Sequence, residues 1–152
     1  MLRGISKLTV DAKGRLAMPK AHRDRLENDG VTRLIVTRDR SNCLLIYPMP
    51  DWVEIETQLM SAPNSDPQIR AMQRLYVGHA TEVEFDSNGR ILLPSALREL
   101  VGIKKKTLLI GQGKKWELWS EEAYDAASEM WPEEAGDVDL ASASEVIQNL
   151  SI

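Results

Sequence analysis

The sequence matches itself when shifted by 75 residues. Leu8–Leu26 lies over Val83–Val101, with identities at Asp11/Asp86, Gly14/Gly89, Arg15/Arg90, Pro19/Pro94, Ala21/Ala96 and Arg23/Arg98. Most other positions keep their apolar or polar character. The register runs on without a gap to Thr32-Arg33-Leu34-Ile35 over Thr107-Leu108-Leu109-Ile110. After a length change, Ile46-Tyr47…Trp52 matches Leu118-Trp119…Tyr124. One supersecondary unit used twice is the economical reading, and it constrains every other assignment in the chain.

The unit reads as strand, tight turn, strand, short helix, hairpin, helix. Leu8 and Val10 alternate with Lys7 and Thr9, as in a half-buried strand. Asp11-Ala-Lys-Gly14 is a turn in which Asp caps backbone N–H groups and Gly accepts positive φ. Leu16 and Met18 resume the alternation, and Pro19 suits the first turn of a helix. Strands follow near 33–38 and 43–47, and Trp52, Ile55 and Leu59 mark one face of a helix. The second unit predicts strands near 82–86, 90–93, 107–111 and 115–119 and a helix over 121–131. Between the units, Ser65-Asp66-Pro67 starts a helix with Ile69, Met72, Leu75 and Tyr76 on its apolar face, and Gly78 stops it. The fold class is α+β with a mainly β core. The expected partition is a first repeat over 5–52, a helical connector over 53–80, a second repeat over 81–124 and an acidic helix and tail over 125–152. In that tail, Pro132–Asp137 reads as a mobile exit, and Ser142-x-x-Glu145 caps a last short helix whose Val146, Ile147 and Leu150 form a docking face.

Composition excludes several classes. With 43% apolar and 28% charged residues among 152, the chain can bury a core, and no stretch approaches the roughly 20 apolar residues of a membrane span. Met1–Lys7 has no apolar h-region, and the single cysteine, Cys43, makes neither a disulfide nor a zinc site. A cytoplasmic protein without metal or cofactor is expected. The net charge of −4 argues against nucleic acid until its distribution is read. Residues 1–40 carry a net +5 and residues 120–152 a net −9. Phosphate contacts need local positive charge, which the first segment has.

The candidate sites sit at the two turns. Arg15 and Arg90 follow their turns directly, where an arginine reaches phosphate or a guanine edge bidentately; each also has an aspartate, Asp11 or Asp86, with which to pair locally. Period-2 reading places Lys7, Thr9 and Arg15 on one face of the first unit, with Lys13 in its turn. The matching face of the second carries Glu82, Glu84 and Arg90, with Asn88 in its turn. Carboxylates repel phosphate, so the first unit is the DNA-reading one and the second the scaffold. Arg3 joins the first face if the N-terminal strand pairs with its hairpin. Arg23 and Arg98 recur in both units, which favours a structural role, and Lys104-Lys105-Lys106 reads as a basic loop of the kind that is normally solvated. Asp11 and Asp86 resemble a pseudo-symmetric acid pair, but turn capping by Asp11, Gly14, Asp86 and Gly89 is the better reading. His22 and His79 lack metal spacing, no catalytic constellation is present, and the tryptophans are expected in the core or between subunits.

Two copies of D-x-x-G-R followed by an apolar-x-apolar-Pro run resemble the MraZ family of bacterial transcriptional regulators. Arg3-Gly4, Leu44–Trp52, Gln73–Ala80 and Glu117-Leu118-Trp119 carry the same resemblance, which covers residues 2–131. It implies two tandem SpoVT/AbrB-like swapped-hairpin β-barrel repeats interleaved within one chain. It also implies a ring-shaped homo-oligomer, commonly an octamer. The partner it implies is double-stranded DNA: GTG-containing repeats upstream of the chain's own division and cell-wall operon, which it would repress from a nucleoid-associated location. It favours Arg15, with Lys13, Lys7 and Arg3, as DNA contacts. The acidic tail leaves an alternative, an antitoxin-like module that wraps a basic protein.

Overall fold

A computed structural model describes residues 1–136 and 144–150. In chain order the strands are β1 (Leu2–Thr9), β2 (Arg15–Ala17), β3 (Arg33–Arg38), β4 (Leu44–Pro48), β5 (Thr81–Glu84), β6 (Arg90–Leu92), β7 (Lys106–Gly113) and β8 (Lys115–Ser120). The helices are α1 (Lys20–Asn28), α2 (Met49–Ser61), α3 (Pro67–Met72), α4 (Ser95–Leu100), α5 (Glu121–Ser128), α6 (Trp131–Gly136) and α7 (Glu145–Gln148). The fold is α+β. Six strands form one antiparallel sheet in the order β1-β7-β8-β4-β3-β5, and β2 pairs with β6 in a separate ribbon.

The two units exchange strands. β1 of the first pairs with β7 of the second, β5 of the second pairs with β3 of the first, and the ribbon takes one strand from each. The hairpins of the tandem repeats are thus swapped within one chain. Leu16 faces Ile91 in the ribbon and Leu45 faces Glu117 at the centre of the sheet. Each of these pairs joins a residue to its own repeat counterpart, so a pseudo-two-fold axis passes through both. The sheet ends at β1 and β5, and the chain closes the gap covalently: β1 turns into β2, β5 turns into β6, and β2 pairs with β6.

Alternation along the strands builds a core on each face of the sheet. Leu34, Val36, Leu44, Ile46, Leu109, Trp116 and Leu118 point towards the ribbon and pack with Leu16, Met18, Ile91, Leu93, Leu26 and Leu97. Ile35, Leu45, Tyr47, Ile110 and Trp119 point the other way and are covered by Trp52 and Ile55 of α2, Tyr76, Tyr124 of α5 and Trp131. Trp131 meets the rings of Trp119 and Tyr124 edge-on, each with centroids 5.7 Å apart.

Several expectations change. The length difference between the units falls at the first helix, not after the next strand: α1 has nine residues and α4 six. Both end on a glycine at positive φ, Gly30 and Gly102, followed by an apolar residue bonded back into the helix (Val31 N–H to Leu26 O, Ile103 N–H to Arg98 O). Because Val83 pairs with Leu34 and Leu8 with Thr107, the true counterpart of Leu34 is Thr107 and not Leu109. The connector starts as predicted, with the Asp66 carboxylate accepting from Gln68 N–H at 2.8 Å, but its last turn, Gln73–Val77, is a π-helix closed by Gly78 N–H on Gln73 O. The helix expected over 121–131 ends at Ser128. Pro132 brings no N–H to bond the preceding turn, so a new helix, α6, begins where a mobile exit was expected. The cap of α7 is Ser144, whose hydroxyl accepts from Ile147 N–H; Ser142 lies outside the described residues. Val146, Ile147 and Leu150 are exposed and dock on nothing among the described residues. No helix among the described residues is long and apolar enough to cross a membrane.

Candidate nucleic-acid interface

The two turns are built alike. Asp11 Oδ1 accepts from the backbone N–H of Lys13 (3.0 Å) and Arg15 (2.9 Å), and its Oδ2 accepts from Arg15 Nε at 2.7 Å. Asp86 repeats this with Asn88 N–H (2.8 Å), Arg90 N–H (3.0 Å) and Arg90 Nε (2.9 Å). Both alternatives for the arginines are therefore compatible. A bond through Nε restrains each guanidinium and leaves its Nη groups outside that bond. Those of Arg15 have no partner among the described residues, whereas Arg90 Nη1 lies 3.9 Å from Asp11 Oδ2.

The turn glycines are favoured by their positive φ, and a close approach adds to it. Gly14 sits at φ +85°, and a Cβ there would lie 2.6 Å from the Arg98 guanidinium; Gly89 stands in the same relation to Arg23. Each of these arginines donates from Nε to a carbonyl of its own unit, Arg23 to Met18 O and Arg98 to Leu93 O, while its head covers the other unit's turn. Together with Met18 N–H to Gly89 O and Leu93 N–H to Gly14 O, they lock the two turns to the ribbon.

Both carboxyls are held below the ordinary value of 3.8, Asp11 first by the Arg15 N–H and Asp86 first by the Arg90 N–H. The two aspartates converge on Arg90, yet a shared-proton pair needs one member raised, and neither is. A depressed folded pKa gives stability that is present above the unfolded value and lost as pH falls through the folded one. The urea midpoint of the wild type should thus fall as the pH drops below the ordinary carboxylate value of 3.8. In Asp11→Asn/Asp86→Asn that acid limb should flatten, with the loss already present at neutral pH. An acid limb as steep as wild type in the double variant would remove the two turns from the titration.

On the outer face of the ribbon, Arg15 and Arg90 are diagonal neighbours, about 7–8 Å apart, with Ala17 and the 58%-exposed Leu92 between and beside them. The sequence reading separated these arginines into two faces; the swap puts them on one. It does not equalise their surroundings. Lys7 and Lys13 are exposed at the first turn's end. At the other end Glu82 and Glu84 engage Arg33, each at 3.5 Å. A pocket of 460 Å³ beside the second turn is lined by Arg23, Glu27, Glu84 and Asp86 among others. Arg3 does not join the group. β1 pairs with β7 rather than with its own hairpin, so Arg3 sits opposite Gln112, about 20 Å along the strand from Thr9. Lys104, Lys105 and Lys106 do come to the first turn: Val10 N–H bonds Lys105 O at 2.8 Å and Thr9 faces Lys106. Sequence reasoning left them as a solvated loop because the pairing that brings them spans about a hundred residues.

The other polar groups are accounted for locally. His22 packs edge-on against Trp116 at 5.3 Å, and burial, with Arg25 nearby, lowers its pKa. Asp39, Cys43 and Glu117 are the one group of metal-type donors among the described residues. Burial, with Glu117 and Asp39 nearby, pushes the Cys43 thiol far up, and Glu117 is held by Gln112 and Trp119.

A family model described as "MraZ protein, putative antitoxin-like" matches residues 1–75 and 76–137. The transcriptional regulator MraZ of Thioalkalivibrio sulfidiphilus is 49% identical over 152 residues, covering all of both chains. That of Hydrogenovibrio crunogenus is 48% identical over 99% of this chain and 97% of its own. That of Nitrosomonas europaea is 49% identical over 82% and 84%. The family model divides where the 75-residue repeat divides, and its two matches hold the two Asp–Arg turns; the chain belongs to the MraZ family.

Proposed function

We propose that the chain is a transcription regulator that binds double-stranded DNA sequence-specifically through the β2–β6 ribbon and its first turn. The observation that carries this reading is the state of Arg15. Its guanidinium is held by Asp11 through Nε, its Nη groups have no partner among the described residues, Lys13 stands exposed in the same turn, and Lys7 stands exposed on the strand that enters it. Such a group is positioned before it meets a guanine edge or a phosphate, so little of its binding is lost to ordering. The names of the relatives, transcriptional regulators, support the same reading.

The finer proposal is that the target is a set of GTG-containing repeats upstream of the chain's own gene, in a division and cell-wall operon that it represses. One ribbon offers too small a surface for tight binding. A ring of copies, an octamer by analogy, engages several repeats at once and gains avidity without new contacts. The first repeat reads DNA and the second builds the scaffold.

Fluorescence anisotropy against the upstream duplex and a scrambled duplex tests this. A preference for the upstream duplex is expected at moderate salt, and its loss on inserting half a helical turn, about 5 base pairs, between repeats. Equal affinity for both duplexes overturns sequence-specific binding; indifference to the insertion overturns concerted binding.

The net charge of −9 on residues 120–152 favours a second reading, an antitoxin-like segment that binds a basic protein. A chain ending before residue 133 separates the two. Loss of a protein partner with DNA binding intact supports it.

A further inference from the structure

The loop that enters β7 forms, with the first turn, a cluster of like charge. Val101 and Ile103 are buried and anchor the loop, and Lys104, Lys105 and Lys106 follow immediately, all exposed. Val10 N–H to Lys105 O fixes the loop against the end of β1. Thr9 opposite Lys106 and Lys7 opposite Leu108 make Lys7 and Lys106 diagonal neighbours on one face, about 7–8 Å apart. Lys13 follows in the turn. Among the described residues none of these five lysines forms an ion pair; the cations that do are Arg15, Lys20, Arg33, Arg90 and Lys114.

The pseudo-symmetric position isolates what is special here. The loop leading into β3 has only Val31 and Thr32 before Arg33, and Arg33 is engaged by Glu82 and Glu84. Like charges on neighbouring strands destabilise a sheet. One end of the molecule pairs its cation with carboxylates; at the other the Asp11 carboxylate is already held by Arg15, and none of the five lysines forms an ion pair among the described residues. An uncompensated cluster of flexible ammonium groups fits a row of anionic oxygens and carries no base-reading geometry.

We infer that Lys104–Lys106 of the second repeat, docked beside Lys7 and Lys13 of the first, form a phosphate-backbone clamp that holds double-stranded DNA against the ribbon without reading its sequence. The second repeat then contributes to DNA binding through its loop, although its own hairpin is acidic. This inference rests on the proposed DNA-binding reading and deepens it.

Binding of the full-length wild type, K104A/K105A/K106A and K104R/K105R/K106R to the upstream and scrambled duplexes, across a salt series, tests it. Three phosphate contacts predict that the slope of log affinity against log salt becomes shallower by about 2 to 3 in the alanine variant. The loss should be the same factor on both duplexes, so the preference between them is unchanged. The arginine variant should keep the wild-type slope. Thermal unfolding of the alanine variant should show no loss of stability against wild type, since all three side chains are exposed. An unchanged slope overturns the clamp, as does a loss confined to the upstream duplex. A rise in affinity also overturns it. If wild type shows no preference between duplexes while the alanine variant still loses slope, sequence-specific reading fails and the clamp stands. No binding of wild type to either duplex overturns both.

Discussion

Leu16→Ala is expected to cost about 3–4 kcal/mol of stability, a large share of the 5–15 kcal/mol that holds an ordinary domain together. Leu16 is fully buried, as is its partner Ile91, and the two meet on the pseudo-two-fold axis of a ribbon with three residues per strand. So short a ribbon cannot persist on its ladder bonds alone, and its inner face carries it. The deleted methyl groups lie among Met18, Leu93, Trp116 and Leu118, which are anchored to the rigid sheet and cannot collapse into the space. Urea unfolding should show a lower midpoint with an unchanged slope, and Tm should fall by about 10 °C. Ile91→Ala should do the same, and the double variant should depart from additivity because the side chains share one site. A loss below about 1 kcal/mol would mean that the ribbon is not part of the cooperative core.

Arg15→Ala is expected to remove preference for the upstream duplex in a protein that remains folded. Loss of one bidentate base contact costs about 1–3 kcal/mol, or about 5- to 150-fold, and in the proposed ring that loss would recur at every engaged copy. Arg90→Ala should do less, although the two residues are built into their turns alike. Arg90 divides its charge between Asp86 at 2.9 Å and Asp11 at 3.9 Å, and its end of the ribbon faces Glu82 and Glu84. Arg15 has one aspartate and lysine neighbours. Anisotropy titrations of both variants decide the matter. Abolition by Arg90→Ala with binding retained in Arg15→Ala would place the reading site on the second hairpin.

What the sequence made legible was local. The Asp–Gly–Arg turns, the alternating strands, the Trp52 helix face and the Asp66 cap each depend on residues within a turn or two of one another. The 75-residue repeat then supplied the symmetry. What it hid was non-local. Nothing near Lys104 announces that Val10 will bond its neighbour, and nothing near Arg3 shows that β1 leaves its own hairpin for β7. The shift in the repeat register was also obscured. Leu34 over Leu109 is the better apolar match by residue type, and only strand pairing reveals Thr107 as the counterpart. The expected helix stops just before Pro132, but the break falls after Ser128 and a second helix takes in the proline. The π-turn at Gln73–Val77 has no local signature of its own.

The exchange of strands between the units sets an order on folding. Leu2 pairs with Gly113, and every partner of β1, β2 and β5 belongs to the other half of the chain. At ribosomal speeds the first strand waits on the order of ten seconds for the residues that complete it. The β3–β4 hairpin and α2 need no such partner and are the natural first structure. Contacts of this sequence separation make for slow folding, and during the delay β1 offers an open edge to other nascent chains. The same edge, with Ile5 54% exposed between Arg3 and Lys7, carries charge on both sides of its one exposed large apolar residue, which is how natural sheets discourage pairing with a stranger. Arg3 and Lys7 therefore act before the fold is complete, as guards of a strand whose proper partner has yet to be made.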